Sequence, residues 1–175
     1  MNNETMELVK SVQAEMLAAG GDFIADESRR EDLRVMIRVT IETHDYLKHG
    51  SAGLARSIYD SPGTNLLDGM MPGYKDRLKA ASEDPFNQYD LNYACETILS
   101  GVDCFERMSP FHPTWTSTLT SSVDWRIFAS REEFNSRFFA LFGQFLAESD
   151  FQKKFRLLHD LFKLQLAFVA MSYER

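Results

Sequence analysis

Cysteine is nearly absent from this chain. Of 175 residues only Cys95 and Cys104 carry a thiol. If both lie on one helix, nine residues place them about 13.5 Å apart along its axis, whereas a disulfide needs Cα atoms within about 7 Å. That spacing excludes an intramolecular bridge and makes the reducing cytoplasm the expected compartment. The polar start, Met1 to Thr5, has no signal-peptide layout and points the same way. Basic charge is also short, with 19 Lys and Arg against 26 Asp and Glu and a net charge of −7. A dedicated nucleic-acid binder needs a basic footprint to displace counterions, so that class is excluded. Docking on anionic lipid is excluded for the same reason. No apolar run reaches the roughly 18 residues of a membrane-spanning helix.

Several chemical signatures are missing as well. The glycines at 63, 69 and 73 match neither G-x-G-x-x-G nor a P-loop, so no standard phosphate cradle is expected. There is no C-x-x-C, H-E-x-x-H or E-x-x-H, and hence no metal or cofactor is expected. G-x-S-x-G is absent, and neither cysteine has a histidine near it in sequence. Acidic pairs such as Glu31-Asp32, Glu83-Asp84 and Glu132-Glu133 sit near expected helix starts, where they complement the macrodipole. They are not spaced like phosphates, so mimicry of DNA is not the reading.

What is present is helix. Apolar residues make up 44% of the chain, enough to bury a core without a staple. Val9, Val12, Met16 and Ala19 recur at helical spacing, and Gly20-Gly21 stops them. Ser28-Arg29-Arg30-Glu31 fits a capping box, with Asp26 as the alternative cap. A stripe follows on one face: Leu33, Met36, Ile37, Thr40, Ile41, His44 and Leu47, ending at Gly50. A short helix is expected within 51–59 and another from Pro72 or Gly73 to Ala81. Asp84-Pro85 reads as a cap and first helical residue. Leu91, Ala94, Cys95, Ile98, Val102 and Phe105 then form a stripe to about Met108. Ser130 opens a further capping box, and Ser149 or Asp150 restarts the chain into a last helix over 151–173. That helix is apolar on most sides, which marks it as central. Ten of the 14 phenylalanines lie between Phe128 and Phe168. The expectation is one all-α domain over residues 1–175, a bundle of five to seven helices with a Phe-rich C-terminal hairpin as its core. Irregular connections are expected near 60–73 and 109–125.

Four histidines are the first candidates for chemistry. His44-Asp45 and His159-Asp160 are HD dipeptides, the pair that helical metallophosphohydrolases use with a leading His and a trailing Asp. Nothing before His44 supplies the leading His, and only Glu174 trails His159-Asp160. Asp45 and His49 share a helix face four residues apart, a spacing that suits either a metal or an ion pair. His44 to Leu54 also resembles, in part, the phosphotransfer motif His-x-Leu-Lys-Gly-Ser-Ala of four-helix phosphorelay modules. Such a resemblance implies a phosphoryl-accepting His44 steadied by Lys48. Two inserted residues rotate Lys48 and Gly50 off their places, and His44 lies on the stripe expected to be buried.

The leading expectation is therefore a protein-binding regulator that works by stoichiometric binding rather than catalysis: an inhibitor, an immunity protein or an adaptor. Its anchors would be the loop aromatics and methionines Tyr59, Met70, Met71, Tyr74, Phe111, Trp115 and Trp125. The partner is another protein, with a homodimer through the C-terminal helices as a further possibility. The alternative is a helical enzyme or a ligand- or metal-binding sensor with a pocket around His44, Asp45, His49, His159 and Asp160.

Overall fold

The computed structural model describes residues 2–50, 53–108 and 130–173. Among them are eight α-helices, one 3-10 turn and no strand. The helices are α1 (Asn3–Ala19), α2 (Glu27–His49), α3 (Leu54–Tyr59), α4 (Thr64–Met70), α5 (Tyr74–Glu83), α6 (Gln88–Met108), α7 (Arg131–Ala147) and α8 (Phe151–Tyr173). The described residues are thus all-helical, with one helix more than the upper expectation. The extra helix is α4, inside the 60–73 stretch read as irregular. Two turns hold too few residues to show a period, and the glycines and prolines around them read as loop.

Each long helix starts on a side-chain cap. Asn2 Oδ1 accepts from the Thr5 amide at 2.8 Å, and Asp26 Oδ1 accepts from Ser28 at 2.7 Å. Asp26, not Ser28, is therefore the cap of α2. Ser130 Oγ accepts from Glu133 at 3.1 Å, as its capping box implies. Asp150 Oδ1 takes the Lys153 amide at 2.9 Å. The start of α6 differs from expectation. Asp84 closes a turn on the Phe86 amide at 2.9 Å, and Asn87 Oδ1 accepts from Asp90 at 2.9 Å. Asn87 is the effective cap, three residues beyond Asp84, because the carboxylate is used in the turn.

Helices α2 and α6 pack side by side, with α1 against α2 and α8 against α6, α7 and α2. The central position of α8 agrees with its near-continuous apolar surface. Phe155, Leu158, Leu161, Phe162 and Phe168 are all fully buried. Phe134, Phe138, Phe142 and Phe145 of α7 add the aromatic layer, with Phe138 and Phe142 stacked at 6.4 Å and 12°. One polar contact crosses this core. Gln165 of α8 is fully buried; its amide donates to Thr40 Oγ1, and its carbonyl lies 2.9 Å from Thr43 Oγ1. Both cysteines are free and buried in α6. The short helices α3, α4 and α5 form an appendage in which α5 contacts both others, and α3 also touches α6.

Candidate functional site

The appendage meets the main bundle over a cleft of about 530 Å³. Its walls are the C-terminal half of α2, the start of α3 and the N-terminal half of α6. Glu42, Asp45 and Asp90 bring three carboxylates to it, and among the described residues its lining holds no Lys, Arg or His. Asp90 is buried and fully used. Its Oδ1 accepts from the Leu54 amide at 2.6 Å and its Oδ2 from Asn87 Nδ2. One acid near the start of α6 thus holds α3 in place as the cleft's outer wall. Asp45 accepts from Thr5 Oγ1 at 3.3 Å, which ties α1 to the same end of α2. Glu42 is half-buried and makes no hydrogen bond or ion pair among the described residues. Burial pushes its carboxyl above the usual range, with Arg38 partly opposing the shift. Tyr46 is only 6% exposed, lines the same cleft, and has no hydrogen bond to its hydroxyl. Burial raises that phenol to about 12.

The predicted histidines lie elsewhere. His44 is half-buried and stacks on Phe142 at 3.9 Å and 14°. Desolvation lowers its pKa, and nearby Lys48 adds to the effect. His49 is exposed at the end of α2. His159 packs on Phe105 at 5.0 Å, with Nδ1 3.4 Å from Asp160 Oδ1. Gln165 marks the level of Thr43 on α8, so His159, six residues earlier, stands about 9 Å along the axis from it. His44 and His159 therefore pack on different helices at different levels. Among the described residues, no group of three or more His, Cys, Asp or Glu side chains is arranged to hold a metal. Of the proposed pocket, only Asp45 reaches the cleft. Both thiols are poor nucleophiles. Burial raises Cys95, and burial with a hydrogen bond to Asp32 pushes Cys104 up to about 11.

The loop anchors divide three ways. Met70 and Met71 are exposed, at 72% and 46%. Tyr59 and Tyr74 are half-buried, and Lys75 Nζ lies 5.6 Å over the Tyr59 ring. Phe111, Trp115 and Trp125 lie outside the described residues.

Helix α4 inverts the usual arrangement of a surface helix. Its polar side chains hold it to its neighbours. Thr64 Oγ1 donates to the Ile58 carbonyl, Asp68 Oδ1 accepts from the Lys75 amide at 2.9 Å, and Asn65 Oδ1 accepts from Lys75 Nζ at 2.7 Å. Its apolar side chains point outward, with Leu66 70% and Leu67 37% exposed beside Met70 and Met71. At about 100° per residue Leu66, Leu67 and Met70 fall within one arc of roughly 100°, and Met71 follows at the C-cap. Met70 and Met71 are the expected anchors on this face, while Leu66 and Leu67 are not among them because the stretch reads as loop in sequence. An amphipathic reading of Thr64 to Met71 would have located all four.

Neither a protein-family model nor any curated protein or solved structure gives a significant match to this chain. No helix among the described residues is long and apolar enough to cross a membrane.

Proposed function

We propose that this protein is a regulator that acts by stoichiometric binding to another protein, with the outward face of α4 as its contact. The observation that carries this reading is the inverted amphipathicity of α4. Folding gains nothing from leaving Leu66, Leu67, Met70 and Met71 in water, while the polar side is used to fix the helix. Contiguous exposed apolar side chains on a fixed element mark interaction surfaces. Leucine and methionine at i, i+1 and i+4 fit a partner's apolar groove in the helix-in-groove mode. Among the described residues, no large apolar side chain of α7 or α8 is exposed, so the contact is assigned to α4 rather than to the C-terminal hairpin. Whether the partner interaction is inhibitory, protective or adaptive depends on the partner.

A photo-crosslinking amino acid at Met70, with a control at exposed Lys79 on α5, tests this in the protein's own cells. The expected result is one discrete adduct with a different polypeptide from position 70 and none from position 79. No adduct at 70, an equal ladder at both positions, or an adduct with a second copy of the chain would overturn it.

A further inference from the structure

The cleft between α2, α3 and α6 carries an inference independent of the α4 face. We propose that it binds a small organic cation, an alkylamine or guanidine, with the charged end at Glu42 and Tyr46 and the carbon chain along Leu54, Ala94 and Tyr93. Four observations converge on that chemistry. The volume, about 530 Å³, falls in the range of small-molecule sites. The lining is acidic, with Glu42, Asp45 and Asp90 and no basic side chain among its described residues, although Arg38 acts on Glu42 from outside it. An anion is thereby disfavoured, and a neutral ligand would leave Glu42 uncompensated. The polar groups that face the cleft are unsatisfied in the way a donor-rich ligand would satisfy. Glu42 has no partner, and the hydroxyl of Tyr46, a residue more than nine-tenths buried, has none either. Both groups stay open to the cleft rather than sealed in the core, so the donors of a ligand can reach them.

The fourth observation is the wall. Tyr93, 57% exposed, and Leu54, 38% exposed, flank the opening and give an aliphatic or guanidinium body an apolar and aromatic surface. A bare divalent metal fits less well. Asp90 already accepts from Leu54 and Asn87, and no group of three acidic or histidine side chains is arranged around one point among the described residues. An ammonium or guanidinium needs only two acceptors within reach and tolerates wider spacing.

The test is an amide-resolved NMR titration of the full chain with agmatine and with putrescine. The comparison titrants are 1,4-butanediol, which is neutral, and magnesium chloride. The expected result is a saturable shift at Tyr93, Ala94 and Thr97 with the two amines only. Glu42→Gln should weaken binding by about tenfold or more, and Tyr46→Phe by a smaller factor, roughly threefold. Asp22→Asn, an exposed acid outside the cleft, should leave affinity unchanged and so separates a local site from general charge attraction. Absence of a saturable shift up to about 10 mM amine, well above the weakest affinity of use to a ligand site, would overturn the proposal. An equal response to butanediol, a response to magnesium alone, or undiminished binding in folded Glu42→Gln would also overturn it. Tyr46→Phe provides the same reading should Glu42→Gln fail to fold.

Discussion

His44 shows how a polar residue is accommodated on a core stripe. Its ring lies flat on Phe142, and burial disfavours its charged form. The folded-state pKa is lowered relative to the unfolded chain, so the stability that neutral His44 contributes is present above its ordinary value of about 6.5. It is lost as pH falls through that value toward the lowered one. An NMR titration of the His44 ring should give a midpoint below the ordinary value, and an ordinary or higher midpoint would contradict the stacked, desolvated placement. Gln165 is a polar residue fully buried on a core face. Thr40 and Thr43 keep backbone acceptors at Met36 and Val39, at 2.9 and 2.8 Å, whether or not Gln165 is present. Gln165→Met conserves volume and strands no donor, so it should cost about 1 kcal/mol in urea unfolding. A loss of more than about 3 kcal/mol would mean that the amide fixes the register of α8 on α2.

At the scale of elements, Gly50 ends α2 in the lining of the cleft. Its φ of 76° and ψ of −176° lie in a region that only glycine enters readily. A Cβ there would also collide with the Pro85 carbonyl. Gly50→Ala should therefore cost about 2 kcal/mol or more, read by chemical denaturation, and should disturb the turn that precedes α6. A neutral effect would show that the turn at Asp84–Asn87 moves freely. The long helices were legible in the sequence because α1, α2, α7 and α8 each repeat an apolar stripe over about three to four turns, and α2, α7 and α8 begin at recognisable caps. The start of α6 was misplaced because Asp84 and Asn87 are both competent caps, and only the folded turn decides which carbonyl and carboxylate are free. Helix α4 was missed because its apolar face is outward, so it contributes no stripe to any core. Within it, Leu66→Asp with Met70→Asp should leave thermal stability nearly unchanged, within about 0.5 kcal/mol, since both side chains are already in water. A large loss would mean that the face is covered in the folded chain.

Across the whole molecule, core and surface were unequally legible. Composition and periodicity announced an all-helical chain with a phenylalanine-rich core, because burial imposes a period on sequence. The cleft imposes none. Glu42, Asp45 and Tyr46 are neighbours on α2, but Asp90, Tyr93 and Leu54 reach them only through the packing of α6 and α3. Histidine drew attention as a reactive residue type, yet His44 and His159 are placed against aromatic rings, while the groups that open to the cleft without a hydrogen bond are a glutamate and a tyrosine. Residue type alone does not reveal which polar group is left without a partner.

The central claim is that the exposed face of α4 recruits a different protein in fixed ratio. Native mass spectrometry of the chain, purified gently from its own cells as wild type and as Leu66→Asp with Met70→Asp, tests it most directly. The account predicts a wild-type mass increased by one further polypeptide at constant stoichiometry, and a folded variant without it. A bare monomer or a homodimer from wild type, or a complex that survives both substitutions, would contradict the account.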